Sequence, residues 1–444
     1  MTRLPTTVIG DAYTSTHCWD VLTELVEVGN RMAGQEGEKE GARIITSAFE
    51  DAGLREVGID EFDLDGWWRD TSTLSIEPQG HTFEHQHQMF ALPGSPSGEV
   101  TAEIVDLGYG LPENVTERDD LEGKIAMARS DTPDDHRWVH RIEKYTAAHE
   151  AGAAAFIFRN HVEGCLPPTG EIGWGPRPGP VPAVGVSAEV GGRIERYCAN
   201  GTPTGSLSVA CRCEPTTSVN AEGVVGPDTD DVVLVTAHVD GHDISEGARD
   251  NGVGSALVAE IGRILAGAEA ELDTKVRLVT FGSEEIGLFG AKHWADSHEL
   301  DSVKAVLNID GAGYSDTPHV RSYNYPSVVE AFETATDTLD IPMASTDGLS
   351  PHTDAWEFAA RGVPAVTAGS VTETSGRGWG HTHADTLDKL DSRHLRTLAI
   401  TFAETAIELA DSDRTIDHRD VDVIEEEVED AHERELKGVD RWPF

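Results

Sequence analysis

A chain of 444 residues has room for two or three domains and a sizeable core. Its 80 acidic residues against 34 basic ones leave a formal net charge of −46. That balance excludes a binding surface for nucleic acid or anionic lipid, because neutralising phosphates needs clustered cations. The acidic excess is spread along the whole chain, as in proteins adapted to a high-salt interior, where a Debye length of roughly 3 Å at 1 M screens self-repulsion. The opening MTRLPTTVIGDAYTSTHCWD lacks the apolar core of a secretory signal. No apolar run approaches the ~20 residues needed to span a bilayer. The expectation is a cytoplasmic protein. Five cysteines, odd in number and sparse, build no disulfide framework, and the Cys211-x-Cys213 pair reads as packing thiols. Asn114-Val-Thr116 matches a glycosylation sequon by pattern only.

In chain order, Val21, Leu22, Leu25 and Val28 follow helical spacing, as do Ile44, Ile45, Ala48 and Phe49. A glycine-containing turn with Arg31 and Gly34 separates them. REVGIDEFDLDGWW alternates as a strand. HTFEHQH, from His81 to His87, reads as a solvated strand face rather than a metal site. From Pro93 the texture changes. GEVTAEIVDLGYG and LEGKIAMARS read as strands, YTAAHEAGAAAFIFRN as a helix running into an apolar strand, and VPAVGVS as a closing segment before a polar, Gly- and Thr-rich stretch. This module carries no clustered acids, bases or nucleophiles. Through GKIAMARS, AAHEAGAAAFIF and VPAVGVS it resembles the protease-associated domain, which implies a lid or substrate-shaping insert.

The region from Val232 to Asp310 has a different grammar. Three short apolar β-branched runs alternate with helical patterns, as parallel α/β units do, and ligands of such units gather at the carboxyl ends of the strands. The first run ends at His238 and Asp240, with Asp250 and Asn251 in the following Gly-rich turn. The second ends at Glu284 and Glu285, and the third at Asp310. Carboxylates and imidazoles are zinc ligands, and paired metals about 3.5–4 Å apart can share one carboxylate and one water. A site of this kind wants a further carboxylate to take the water's proton. The chain offers His238, Asp250, Glu285, Asp310 and His381 as ligands and Glu284 as the base. Singly, each has a plainer explanation: a surface pair, a helix cap, a turn. Together, each at the end of an apolar strand or in a turn, they point to a metal centre. Adjacent Glu284 and Glu285 can face one site only where the backbone turns, since a regular strand would send them to opposite faces.

His238-x-Asp240, the GARDN turn, SEEIGLFG, the NID at Asp310 and HTHADT, in this order, resemble peptidase family M28, the dinuclear zinc exopeptidases, and most closely its carboxypeptidase Q-like branch. NRMAGQEGEKEGARIITSAFEDAGL resembles the family's usual start. The resemblance implies a zinc-exopeptidase fold: an α/β architecture with a mixed, mostly parallel central sheet flanked by helices and an inserted β-rich protease-associated domain. It divides the chain into residues 1–93, the insert 94–215, the catalytic part 216–412 and an acidic tail 413–444, expected as a frayed helix or a disordered end. It implies that His238 and Asp310 hold one Zn2+, Glu285 and His381 the other, and that Asp250 bridges them. Co2+ or Mn2+ would suit the same ligands. Asp240 would hold the free nitrogen of His238, and the peptide after Asp250 would be cis. His381 is preferred to His383 because the family's ligand lies four residues before the Asp of its DT pair, here Asp385. His242, Asp243 and His352 are pocket-lining candidates without a role. One departure stands out: Asp354 is followed by Ala355, where the family often has His.

The implied activity is hydrolysis of terminal peptide bonds of a peptide or dipeptide, as an aminopeptidase or dipeptidase. The alternatives are a carboxypeptidase Q-like enzyme cleaving dipeptides, a glutaminyl cyclase-like acyltransferase with a single zinc, and a non-catalytic receptor-like homologue. Oligomeric state stays open, a homodimer among the options.

Overall fold

The β-branched run Val232–His238 forms a strand buried along its whole length. In the computed structural model, which describes residues 3–173, 178–372 and 378–444, this strand lies at the centre of a large mixed sheet. Lys275–Phe281 and Val303–Ile309 flank it in parallel, and Ala365–Ser370 extends the parallel set beyond Val303–Ile309. A parallel pair needs a crossover, and the helix Val253–Gly267 supplies the one between Val232–His238 and Lys275–Phe281. That helix is buried on nearly every side, which fits its apolar residues all round. It packs with the helices His17–Glu27, Glu36–Asp51 and Ser392–Ala410 in one continuous core. The α/β architecture expected from the sequence, a mixed sheet flanked by helices, is the one observed.

A second parallel set, Gly98–Asp106, Ile125–Arg129, Ala155–Arg159 and Ala183–Val186, makes the inserted module, with Met89–Ala91 antiparallel at its edge. One strand joins the two sets. Thr204–Val225 pairs through Thr204–Val209 with Gly98–Glu103 and through Ala221–Val225 with Val276–Thr280, antiparallel in both cases. Along its length it also pairs with Arg55–Glu77, giving a two-stranded ribbon that spans from one module to the other.

Three expectations change. The polar, Gly- and Thr-rich stretch after VPAVGVS, read without an element, forms the helix Ala188–Asn200 and then this long strand. Its Leu207 and Val209 alternate inward between serines, and its Thr-rich centre suits a pleated surface. Only His81 of the triple-histidine segment lies in a strand; that strand ends at Phe83, and His85 and His87 sit in the turn beyond. The acidic tail folds, as the helices Val421–Glu427 and Asp430–Gly438. Val421 and Val423 stay exposed, while Ile424, Leu436 and Val439 are buried, so the apparent strand alternation is one stripe of a short helix plus its flank.

If this tail is part of the core, Ile424→Ala should lower stability by about 2–5 kcal/mol, read as an earlier urea midpoint. An unchanged midpoint would mean that the tail does not pack.

Candidate metal centre

His238 closes its strand, and the parallel register sets Phe281 beside it, so the turn bearing Glu284 and Glu285 starts at the same end of the sheet. Asp310 follows directly on Ile309 of the strand on the other side. Asp250 arrives from the entry to the helix Val253–Gly267, with a cis peptide between Asp250 and Asn251. The Asn251 side chain fixes this entry, donating from Nδ2 to the Ile309 carbonyl at 2.8 Å and accepting the Gly254 N–H at 2.9 Å. A Cβ at Gly254 would stand 2.6 Å from the Ile309 oxygen, so only glycine lets the helix come this near the strand.

The result is convergence. His238 Nε2 lies 3.5 Å from Asp250 Oδ1, and Asp250 Oδ2 lies 3.2 Å from His381 Nε2. That imidazole is in turn 3.3 Å from Glu285 Oε2. Two ligand groups face the two oxygens of Asp250: His238 with Asp250 and Asp310, and His381 with Glu285 and His242. Glu284 reaches in alongside, its Oε2 4.0 Å from His238 Nε2. His383 points elsewhere, its ring nitrogens 2.9 Å from the carbonyls of Ile244 and Gln86.

Asp240 stands beside the free nitrogen of His238, its carboxylate 3.4 Å and its backbone oxygen 3.2 Å from Nδ1. It has a second task that the sequence did not suggest. Its two carboxylate oxygens accept the backbone N–H groups of Glu284 and Glu285, each at 3.1 Å, and so hold the turn that aims both side chains inward. Ser283, just before the pair, takes a left-handed φ of 57°. Its N–H donates to Glu38 at 2.8 Å, and Glu38 also accepts from Gly34 N–H and the Ser218 hydroxyl.

Arg31 is fully buried. It donates to the carbonyls of Val239, Leu25, Glu246 and Gly247, clamping the loop that carries Asp240 and His242. Asp385 accepts the N–H groups of Arg249 and Asp250 at 2.8 and 3.1 Å. The inserted module contributes too: Thr169 N–H donates to the His381 carbonyl at 2.8 Å, and the Thr169 carbonyl lies 3.4 Å from His381 Nδ1.

The charges are strongly coupled. Burial pushes Glu284 well above the usual carboxylate range, and Glu285, Asp354 and Asp310 add to the shift. Burial also works to raise Asp250 and Glu285, but the imidazoles overcome it: His238 and His381 hold Asp250 well below its ordinary value, and His242 and His381 bring Glu285 to about 2. Asp243, paired with Arg69 through two contacts of 2.9 and 2.7 Å, is held low against its own burial.

The site fits a divalent cation on its own evidence. Both ring nitrogens of His242, Glu285 Oε1 and both oxygens of Asp354 are buried without a hydrogen bond. His242 Nε2 is only 2.9 Å from Glu285 Oε2, a distance that makes an ion pair but is misaligned for a hydrogen bond. Unpaired buried polar groups cost about 1–3 kcal/mol each, and a cation among imidazoles and carboxylates relieves that cost. His242 could have been weighed from its place four residues after His238. Asp354 stood out in the sequence only through the alanine that follows it; its burial was not visible there.

The sequence pattern of peptidase family M28 matches residues 220–406, and that of the PA domain matches residues 100–194. Leucine aminopeptidase 2 of Trichophyton rubrum is 30% identical, over 78% of this chain and 70% of that one. The chain belongs to peptidase family M28. Aminopeptidase YwaD of Bacillus subtilis is 29% identical, over 86% of this chain and 81% of its own length. Carboxypeptidase Q of Mus musculus is 22% identical, over 88% and 84%. A solved structure of a zinc aminopeptidase from Bacillus subtilis superposes with a TM-score of 0.70 at 26% identity, covering 88% of this chain and 93% of that one.

Within this M28 centre, burial first and Asp240 second push Glu38 up to about 8, from an ordinary value of 4.5. The fold therefore keeps a proton that the unfolded chain has lost, and the stability due to it is full below the unfolded pKa and lost as pH rises through about 8. Glu38→Gln, which stays neutral, should gain stability relative to wild type across that window in urea unfolding at stepped pH. Parallel profiles would show that Glu38 is not raised.

Proposed function

We propose that this M28 member is a metal-dependent exopeptidase that hydrolyses terminal peptide bonds, as an aminopeptidase or a dipeptidase. The observation that carries this is the convergence of His238, Asp250, Glu285, Asp310 and His381, with Glu284 beside them, from strand ends and turns far apart in sequence. His238 and Asp310 would hold one Zn2+, Glu285 and His381 the other, with Asp250 shared between them. When bound, the metals polarise the scissile carbonyl and acidify water. The chain's own residues do the rest. Asp240 fixes the ring of His238 and the Glu284–Glu285 turn. Glu284 takes the proton from the attacking water and delivers it to the leaving amine.

His242 stands in the same group of candidate ligand atoms as Glu285 and His381, its ring edge-on to His381 with centroids 4.5 Å apart. Residues 94–215 act as the substrate-shaping insert, between the two parts of the peptidase domain, 1–93 and 216–412. Residues 413–444 form a closing tail. A carboxypeptidase Q-like, dipeptide-cleaving activity is the second reading, favoured by the likeness to carboxypeptidase Q. Aminoacyl chromogenic substrates and unblocked dipeptides, each beside its N-acetylated form, separate the two. Loss of cleavage on acetylation marks an aminopeptidase.

The acidic excess supports a protein working in a high-salt interior, with no need of a membrane: among the described residues no helix is long and apolar enough to cross one.

Glu284→Gln should keep metal and fold but lose at least ~10²-fold in kcat; near wild-type turnover would discard the general base. Asp250→Ala should lose the two metals of this centre and activity together, and elemental analysis finding as much zinc as in wild type would refute the shared ligand. The thermal midpoint should climb from dilute buffer to molar KCl as repulsion is screened, and a flat or falling midpoint would remove the salt adaptation.

A further inference from the structure

Away from the main centre, His140, His352 and Glu435 form another compact group of ligand atoms, all within 4.8 Å of one another. The three come from separate parts of the chain. His140 caps the helix Arg141–Glu150 of the inserted module, His352 lies in the segment before the helix Ala355–Ala359, and Glu435 lies on the tail helix Asp430–Gly438. We propose that these residues bind a separate divalent cation of the zinc class, which clasps the inserted module, the catalytic sheet and the C-terminal tail at the wall of the substrate cavity.

The spacing fits such an ion. His140 Nδ1 lies 3.0 Å from Glu435 Oε1, and His352 Nε2 lies 3.0 and 3.2 Å from the two oxygens of Glu435. Tetrahedral ligands at ~2.0–2.1 Å from zinc place their donor atoms about 3.3 Å apart. The main centre, built from the same side-chain types, shows separations of 3.2, 3.3 and 3.5 Å.

The same distances also suit a hydrogen-bonded His–Glu–His latch, so the charge balance has to decide. The two imidazoles lie tilted by 32° with centroids 4.2 Å apart, a closeness that disfavours two imidazolium rings. Glu435 is almost fully buried, and an ionised carboxylate there wants a positive partner. Arg137 is already taken by Glu143, and Arg441 contacts Glu171 at 3.3 Å. A third imidazole, His432, meets His352 edge-on at 5.5 Å with its Nδ1 buried and unpaired. A divalent ion between neutral imidazoles and an ionised Glu435 answers the close pair of rings and the buried carboxylate together. The cavity beside the cluster is lined by His140, His352 and Glu435 on one side and by Glu284, Glu285 and His381 on the other, which leaves space for water as a remaining ligand.

The test counts Co2+ per chain after chelation and reloading, by elemental analysis and visible absorption. Asp250→Ala, which empties the main centre, should retain one equivalent, and adding Glu435→Gln or His352→Gln should remove it. On the wild-type background either of these two variants should carry one equivalent fewer than wild type. If Asp250→Ala retains no cobalt, or if folded Glu435→Gln and His352→Gln bind as much as their parents, the cluster is a hydrogen-bonded latch and the proposal falls. Failure of the main-centre assignment looks different: Asp250→Ala would then bind as much cobalt as wild type.

Discussion

Crowding of buried negative charge is the constraint that the architecture answers. Asp240, Asp250, Glu284, Glu285 and Asp354 lie together at the ends of the central strands, with Asp310 and Asp385 adjoining. Two unit charges 4 Å apart repel by about 4 kcal/mol at an effective dielectric near 20, so such a group persists only if each member is answered. Imidazoles answer Asp250 and Glu285, and backbone N–H groups answer Asp240 and Asp385. Glu284 and Asp354 remain, both pushed toward the neutral form by burial. In an M28 centre the outstanding compensation is the metal, so metal binding and the stability of this region are one quantity.

The support behind the ligands reaches far from them. Arg31 and Glu38 belong to the opening NRMAGQEGEKEGAR segment, yet Arg31 pins the Asp240 loop and Glu38 pins Ser283. Both are buried, and both are displaced from their ordinary protonation by that burial, Arg31 down to about 10 and Glu38 up to about 8. A segment some two hundred residues before the Glu284–Glu285 turn therefore helps to set its geometry.

The sequence showed these features unevenly. The three parallel strands from Val232 to Asp310 were legible because a strand buried on both faces has to be continuously apolar, as in Val232–His238 and Val303–Ile309. The residues of the centre were legible because strand ends are few and each carried a ligand type. Thr204–Val225 was not, because a ribbon strand with one solvated face dilutes its apolar residues with Ser and Thr. Nor was the folded tail, whose buried Ile424 and Leu436 are scattered among carboxylates. Burial made by distant partners leaves no local trace, which is why the burial of Asp354 and Glu435 and the supporting roles of Arg31, Glu38 and Thr169 emerged only in three dimensions.

Arg69 shows how the insert is joined to the chemistry. It sits where the register of the ribbon shifts, between the Arg69–Cys211 and Ser72–Val209 pairs, and such irregularities re-aim a side chain. The guanidinium turns onto the ring of Phe90 at 4.7 Å, grips Asp243 with two contacts and reaches Thr169 at 3.3 Å. Asp243 is the next residue after His242, and Thr169 is the residue whose backbone holds His381. One buried cation thus links the ribbon, the insert and two imidazoles of the centre. With a long paired ribbon in place of a flexible linker, the insert is held in register with His242 and His381. Its hold on His381 is then a fixed part of the site, present before any substrate arrives.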